Sequence, residues 1–315
     1  MARFVIRRLL QFIPVFLLAA IAVWALIYAL PGDPAEALAG LNATPEEIAA
    51  VRERMGLDQP VWVQFLTWLG NAAAGDLGVS SSSAFSVSGL LAKHIPASAQ
   101  LAVFAMFIVI LIAIPLGMVK ALAPHRLAGR IVNVYLSLSL ATPPFWIGQL
   151  LILAFAVSLR MLPAASRYVP FWEDPGQALR NMVLPALALG IYSGGVLARF
   201  VAASLSEAME SDYVRTARSK GASETRVVLR HAMRNSMLPV LTVGALQLGT
   251  LLGGAVVMEV LFSYSGIGRL LFESIRTRDY AVMQASILFV VILYLVLSLL
   301  VDVLYAALDP RIRLK

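Results

Sequence analysis

The stretch LLQFIPVFLLAAIAVWALIYAL, at residues 9–30, decides the fold of this chain. It contains no charged side chain, and its length is enough to cross the roughly 30 Å hydrocarbon core of a bilayer as a helix. Arg3, Arg7 and Arg8 precede it, as basic residues precede the apolar run of a signal peptide. The run is too long for a signal peptide, however, and no small-residue cleavage site precedes Pro31. We therefore predict a retained membrane anchor.

Five further apolar stretches of similar length follow along the chain. They lie at residues 97–122, 131–159, 182–205, 237–262 and 282–308. The chain of 315 residues is 60% hydrophobic and only 14% charged, whereas about a quarter of the residues of a soluble domain are charged. So few polar residues could not cover a soluble core of this size. The sequence predicts an all-α membrane protein of about six transmembrane helices, with packing kinks at Pro14, Pro115, Pro143, Pro144 and Pro185.

The distribution of basic residues predicts how these helices are oriented. Six spans place the N-terminus, residues 120–130, residues 199–236 and the C-terminus on one side, with sixteen of the 25 Lys and Arg residues. The other side has the remaining nine. Because short cytoplasmic loops are enriched in Lys and Arg, we predict that both termini are cytoplasmic. The net charge of +7 then comes from basic residues in the cytoplasmic loops of a protein embedded in the lipid bilayer. We therefore expect no nucleic-acid partner.

The chain lacks the residues that are typical of several kinds of functional site. The chain has no cysteine, and its three histidines match no metal-ligand spacing, so we expect no metal site. A phosphate-binding G-x-x-x-x-G-K-[ST] motif is missing, and we expect neither a bound cofactor nor a catalytic residue. A secondary transporter would need ionisable side chains within its spans. Only Glu259 and Asp302 qualify, both near span ends, and we interpret them as structural or interfacial charges.

Two stretches outside the predicted spans are long enough to fold. Residues 31–96 should form an ordered cap on the outer face, in which Thr44 is a helix N-cap and Pro45 the first helical residue. Acidic residues outnumber basic ones in this cap, and its serine run at residues 80–83 is expected to be flexible. Residues 205–236 form the second stretch, on the inner face.

The inner stretch is predicted to contain two short amphipathic helices. The first spans residues 205–220 and ends at Gly221, and Ser223 can cap the second. The second helix places Arg226, Arg230 and Arg234 in one basic stripe. Its opposite, apolar face consists of Val228, Leu229, Ala232 and Met233. This pattern fits either an interfacial helix pair whose arginines contact lipid headgroups or a docking element for a cytoplasmic protein.

Small residues in the fifth predicted span suggest close helix packing. Ala245, Gly249 and Gly253 recur at four-residue steps, which lets two helices approach closely in a membrane. The partner helix could belong to the same subunit or to a second subunit, and both alternatives remain open.

Short motifs along nearly the whole chain resemble the permease subunits of binding-protein-dependent ABC importers of the dipeptide, oligopeptide and nickel subfamily, specifically the first permease of the pair. They include residues 7–10 (RRLL), 30–34 (LPGDP), 56–60 (GLDQP), 75–78 (GDLG), 266–270 (GIGRL), 278–280 (RDY) and 309–313 (DPRIR). The family's coupling loop has an E-A-A triplet three residues before a glycine. Here the triplet is Arg215, Thr216 and Ala217, and only Ala217 matches, whereas Gly221 keeps the glycine.

The resemblance implies a type I ABC importer permease architecture, folded as a single transmembrane domain over residues 1–315. It further implies a second homologous permease subunit, two cytoplasmic ATPase subunits that bind ATP and Mg, and an extracytoplasmic solute-binding protein. The implied location is the cytoplasmic membrane of a bacterium or archaeon. The residues expected to couple to the ATPases are Tyr213, Arg215, Ala217, Gly221, Ala222, Arg226, Arg230, Arg234 and Asn235.

The subfamily imports several classes of solute, and the residues discriminate among them only weakly. We expect a dipeptide, an oligopeptide or glutathione, with nickel or another small solute as the alternative. None of His94, His125 and His231 lies within a predicted span and cysteine is absent, so the path has no soft-metal ligands, which favours a peptide.

Overall fold

A computed structural model describes residues 2–29, 34–39, 43–54 and 56–308. Across these residues the only β pairing is an isolated bridge between Val79 and Ser86, so the predicted all-α class is confirmed. The helices are α1 (Ala2–Ala29), α2 (Pro34–Ala39), α3 (Pro45–Arg54), α4 (Val61–Ala73), α5 (Val87–Leu122), α6 (Leu127–Ala141), α7 (Pro144–Leu151), α8 (Pro175–Glu210), α9 (Asp212–Ser219), α10 (Glu224–Arg226), α11 (Met233–Leu261), α12 (Ile267–Thr277) and α13 (Tyr280–Leu308). A π-helix continues α7 over Ile152–Ser158, and another joins α10 to α11 over Val227–Ala232.

Five of the described helices are long and apolar enough to cross a membrane. These segments are Ile6–Leu26, Val87–Leu122, Pro175–Glu210, Pro239–Leu261 and Tyr280–Val303. The pair Leu127–Ala141 and Pro144–Ser158 adds a sixth if it is counted as one broken span. The predicted number of about six spans is therefore confirmed, although two of them differ from the expected helices.

The second span begins earlier than its apolar stretch indicated. We predicted a start at residue 97, but α5 begins at Val87 and includes Pro96. The extra turns are stabilised by packing, because Val87 and Leu91 form a buried cluster with Val282 and Ala285 of α13. Residues 87–96 of the predicted cap are thus the first turns of α5, and the cap on the outer face stays a prediction. Residues 30–33, 40–42 and 55 lie outside the described part of the chain.

The third span is broken rather than kinked. Its two halves, α6 and α7, meet at an angle of 107°. Thr142 and Pro143 between them are extended, with ψ values of 121° and 139°. Pro143 and Pro144 have no N–H to continue the helical ladder, and a residue before proline is driven toward extended backbone. The packing kinks predicted at these two prolines are therefore wrong.

Contacts between Cα atoms divide the chain into two compact units, residues 1–97 with 265–299 and residues 98–264 with 300–315. In the second unit α8 is the most buried span, with 61% of its apolar window covered by the protein. Its glycines make this burial possible, because a Cβ added at Gly190 or Gly195 would overlap Ile108 of α5 or Ser139 of α6. The predicted single domain stays a prediction.

In the first unit, aromatic and amide side chains join α1 to α4. The rings of Trp24 and Phe65 meet edge to face with centroids 5.7 Å apart. The Tyr28 hydroxyl donates a hydrogen bond to Oε1 of Gln64 over 2.6 Å. These contacts fix the short helix α4 against the end of the first span.

The N-terminus of α3 confirms the predicted cap at Thr44 and Pro45. Thr44 Oγ1 accepts a hydrogen bond from the Glu47 backbone N–H over 3.3 Å. Glu47 Oε2 accepts one in return from the Thr44 N–H over 2.8 Å. This reciprocal pair is a capping box, which satisfies two backbone donors at the start of the helix.

The serine run of the first unit is fixed, contrary to our expectation of flexibility. Asp279 Oδ2 accepts hydrogen bonds from Ser80 Oγ over 2.6 Å and from Ser82 Oγ over 2.9 Å. The other carboxylate oxygen, Oδ1, accepts from the Val282 N–H and so caps α13. Ser80 and Asp279 are both buried, so one carboxylate joins the serine turn to the last span.

Candidate functional site

The segment predicted to couple to the ATPases, residues 205–236, begins with a broken helix. We predicted one helix over residues 205–220, but α8 ends at Glu210 and α9 begins at Asp212. Ser211 between them is extended, with a ψ of 153°, and its hydroxyl donates to the Ala208 carbonyl. The Ser211 carbonyl accepts from the Val214 N–H over 3.1 Å, which starts the new helix. The single-helix prediction is therefore wrong.

The turn after α9 confirms the helix end that we predicted at Gly221. Gly221 has a φ of +78°, a conformation that is cheap only for glycine. The Ala222 N–H donates to the Ala217 carbonyl over 3.2 Å, and the Gly221 N–H donates to the Arg218 carbonyl over 2.9 Å. These two bonds define a Schellman motif, which usually brings two apolar side chains together. Ala217 and Ala222 are those side chains, and both belong to the apolar cluster beneath the turn.

The second predicted helix is not separate from the fifth span. It starts as α10, widens into the π-helix Val227–Ala232 and continues without a break into α11. Ser223 occupies the N-cap position, but its side chain makes no capping hydrogen bond, so that part of the prediction is wrong. The coupling segment and α11 are therefore parts of one continuous helix.

The coupling segment folds onto a buried apolar cluster. Its buried members are Leu205, Ala208, Val214, Ala217, Val227 and Ala232. Met118 and Ala121 at the end of α5 pack against this cluster. Leu229, which we assigned to the apolar face, is instead 57% exposed. The wider i→i+5 repeat of the π-helix changes the direction in which side chains point, and this explains the difference.

The solvent-exposed surface of the coupling segment is basic. Its exposed members from the predicted coupling set are Tyr213, Arg215, Gly221, Arg226, Arg230, Arg234 and Asn235. Arg215 lies 3.6 Å from an Asp212 carboxylate oxygen. Across the described ranges, Arg226, Arg230 and Arg234 have no hydrogen-bonded or ion-paired side chain as a partner. The stripe can therefore bind an acidic surface or lipid phosphates.

An ion pair that the sequence did not indicate closes the glycine turn. Arg218 donates from Nε to Glu224 Oε1 over 2.7 Å and from Nη2 to Oε2 over 3.2 Å. The hydrogen bond from Arg218 lowers the pKa of Glu224 below its ordinary value. The two residues are six apart, which no helical spacing rule connects, and only the turn at Gly221 brings them together.

The small-residue face of α11 is open in this subunit. Ala245 and Gly249 are partly exposed, and a Cβ added at Gly253 would have no neighbour within 4 Å. The adjacent Gly254 packs inward instead, since its added Cβ would lie 3.2 Å from Leu189 Cδ2. Whether this face packs within the same subunit or against a second subunit stays open, and its contact with a second subunit stays a prediction.

The two acidic residues considered as ion sites have different environments. Glu259 is buried, and its Oε1 accepts a hydrogen bond from Ser98 over 2.6 Å. Its backbone carbonyl accepts from the Tyr264 N–H over 2.8 Å. Asp302 is partly exposed. No group of three or more His, Asp or Glu side chains in the described ranges could bind a metal ion.

Comparison with known proteins identifies the family. Residues 113–314 match the binding-protein-dependent transport system inner membrane component, and residues 1–102 match the N-terminal part of such a component. The glutathione transport system permease protein of Escherichia coli strain K12 is 39% identical over 315 residues, which cover 100% of both chains. A putative peptide transport system permease protein of Brucella abortus strain 2308 is 40% identical over 313 residues, or 99% of each chain.

Two solved structures share the fold at low sequence identity. The MetNI methionine ABC transporter in an inward-facing conformation superimposes with a TM-score of 0.58 at 16% identity, covering 70% of this chain and 96% of that one. An amino acid ABC transporter crystallised with histidines gives a TM-score of 0.53 at 17% identity, over 71% and 94%. The chain therefore belongs to the family of binding-protein-dependent transport system inner membrane components, as a multi-pass membrane permease with the type I ABC importer fold.

Proposed function

We propose that this chain is the transmembrane permease subunit of an ATP-driven importer that moves glutathione or other short peptides across the cytoplasmic membrane. The observation that supports this most strongly is the full-length identity of 39–40% to permeases of glutathione and peptide transport systems. In this proposal the chain forms part of the path and catalyses no reaction. Two partner ATPases bind ATP and Mg, and a second, similar permease completes the path.

The coupling segment supports contact with an ATPase. A Schellman turn, the apolar cluster beneath it and the Arg218–Glu224 ion pair make it rigid. Its surface presents three arginines without described partners, which suits an acidic groove. The interfacial alternative, in which these arginines contact lipid phosphates, predicts instead that ATPase binding is insensitive to their charge.

The same geometry suggests how ATP hydrolysis moves the spans. A force on the turn at Gly221 reaches α8 and the end of α5 through the buried cluster, and it reaches α11 through the continuous π-helix. Because packed helices move as rigid bodies, closure of the ATPases would shift these three spans together. The capped and hydrogen-bonded outer segment is the proposed contact for the solute-binding protein.

Reconstitution tests the proposal. The chain is co-expressed with a candidate second permease and two ATPases, purified in detergent and placed in proteoliposomes with the solute-binding protein. We expect both ATPases to co-purify and labelled glutathione or a dipeptide to enter only with ATP and the binding protein. Uptake by the chain alone with an ion gradient would instead indicate a secondary transporter. Import of a nickel chelate without any peptide would contradict the substrate.

A further inference from the structure

A cavity of about 360 Å³ lies in the second unit at the break between α6 and α7. Its lining comes from the break itself, from the middle of α8 and from α11. The lining residues with side-chain hydroxyls are Thr142, Tyr192, Ser193 and Thr250. No charged side chain lines the cavity.

The broken backbone leaves hydrogen-bond acceptors at this cavity. Pro143 and Pro144 have no N–H, so the carbonyls of Ser139 and Leu140 lack their helical donors. Within the described ranges, no other group donates to these two carbonyls. Irregular backbone at membrane depth is tolerated only where it is buried in protein or lines a water-filled cavity. We therefore expect these carbonyls to face protein or water rather than lipid.

The side chains at the cavity add unused hydroxyls. Those of Thr142, Tyr192 and Ser193 form no hydrogen bond with any residue that the structure describes. Ser193 is only 5% exposed, and it lines the cavity. Thr250 differs, because its hydroxyl donates to the Gln247 carbonyl over 2.8 Å. Hydroxyls that line a cavity without a protein partner can form hydrogen bonds to water or to a ligand there.

We infer that this cavity is the subunit's section of the import path and binds the main-chain amides of a peptide. The inference rests on the proposed function and names the residues through which the solute passes. Free carbonyls accept hydrogen bonds from peptide N–H groups, and free hydroxyls donate to peptide carbonyls. An uncharged lining suits a backbone that is common to all peptides, whatever side chains they have.

Single cysteines test the inference, because the natural chain has none and each introduced thiol is the only one in it. Thr142→Cys and Ser193→Cys are compared with Val134→Cys, at an exposed apolar position of α6. The assembled importer in membrane vesicles is treated with a charged methanethiosulfonate reagent. We expect Thr142→Cys and Ser193→Cys to react and Val134→Cys to react only with a lipid-soluble maleimide. Addition of glutathione or a dipeptide, with binding protein and ATP, should slow the first two reactions several-fold.

The outcomes separate this inference from the proposed function. If neither cavity thiol reacts while the native importer takes up peptide, lipid or a partner helix fills the cavity and the inference is wrong. If both react without protection by either peptide, the amide-binding assignment is wrong. If both react and are protected by a solute other than a peptide, the proposed function fails but the water-filled path stands.

Hydroxyl deletions give a second readout that does not depend on labelling. Tyr192→Phe and Ser193→Ala remove one hydroxyl each with little change of shape. We expect peptide uptake at low concentration to fall about two- to tenfold, as for the loss of one hydrogen bond. ATPase co-purification should be unchanged. Wild-type uptake in both variants would overturn the assignment of these hydroxyls.

Discussion

Individual residues set the shape and charge of the coupling segment. Gly221 supplies the one backbone conformation that lets α9 turn back toward α10, and Arg218 and Glu224 close that turn from outside. The arginines of the basic stripe bond to no side chain in the part of the chain that the structure describes. Substitutions at the turn should therefore test how the shape of the surface affects ATPase binding, and substitutions in the stripe should test the effect of its charge.

We expect Gly221→Val to leave the membrane spans inserted but to release or uncouple the ATPases. The left-handed backbone costs a β-branched residue on the order of 1–2 kcal/mol. An added Cβ would meet no atom within 4 Å, so in this chain the effect comes from backbone strain rather than crowding. ATPase co-purification and substrate-stimulated hydrolysis measure the result. Gly221→Asn is the control, because asparagine tolerates this conformation, and it should retain both activities. Wild-type behaviour of Gly221→Val would refute the coupling role.

Arg230→Glu tests the charge of the stripe without altering the turn. Arg230 is exposed, and reversing its charge against an acidic groove should reduce ATPase co-purification, most strongly at low salt. Arg276→Glu, at an exposed position of α12, should have no effect. Equal ATPase retention in the two variants would support the lipid-headgroup alternative instead.

Whole elements of the chain are positioned by a few polar contacts and by small residues. Asp279 holds the serine turn through hydrogen bonds. Glycines of α8 allow α5 and α6 to pack closely against it. At Gly253 of α11, by contrast, an added Cβ would meet no atom within 4 Å among the residues that the structure describes. These contrasts allow tests in which neighbouring residues of the same type serve as controls.

Ser80→Ala should open the serine turn to proteolysis. The hydroxyl of Ser80 donates a 2.6 Å hydrogen bond to the buried Asp279 carboxylate, and bonds to charged groups contribute about 1.5–3 kcal/mol. Limited proteolysis of the purified complex should cut the variant near residues 80–83 while the wild-type chain resists. Ser81→Ala is the control, because no described residue hydrogen-bonds to the Ser81 side chain. Equal cleavage of all three proteins would show that Asp279 does not restrain the turn.

Gly253→Leu should weaken assembly with the second permease without unfolding this chain. Its side chain would extend into open space on α11, where we propose that a partner helix packs. Gly195→Leu is the contrasting variant, because its side chain would overlap Ser139 and should destabilise the chain itself. Thermal stability and co-purification of the second permease distinguish the two effects. Full assembly of Gly253→Leu, or of the related Gly249→Leu, would remove this face from the interface.

At the scale of the whole molecule, one hydrogen bond supports an even number of crossings between two parts of the chain. Ser80 and Asp279 are in contact and must lie on the same side. Between them run α5, the pair α6 and α7, α8 and α11. The number of crossings is even only if the broken pair crosses as well. We therefore infer six crossings, with both termini on one side.

Cysteine accessibility tests this topology. Trp172, between α7 and α8, is 74% exposed, and the inferred topology places it outside the cell. We therefore expect Trp172→Cys to react with an impermeant maleimide in intact spheroplasts. Arg126→Cys, between α5 and α6, should react only after permeabilisation. If α6 and α7 formed a re-entrant loop, both thiols would react from the same side, and the inferred crossing would be wrong.

The sequence by itself determined the membrane class, the approximate spans, the family and the conformation of Gly221. These follow from local composition and from motifs that occupy consecutive positions, such as an uninterrupted apolar run or a glycine after an amphipathic helix. The capping box at Thr44 was readable for the same reason, since its partners are three residues apart.

Only the tertiary structure decided the features that join distant parts of the chain. Asp279 bonds to a serine 199 positions earlier, and packing on α13 extended α5 past its apolar stretch. The 107° break of the third span likewise depends on neighbouring helices that accommodate its unpaired carbonyls. Sequence patterns record the local preference of each segment. The free energy gained by burying side chains depends on which other segment packs against them. Only the folded structure determines which segments pack together.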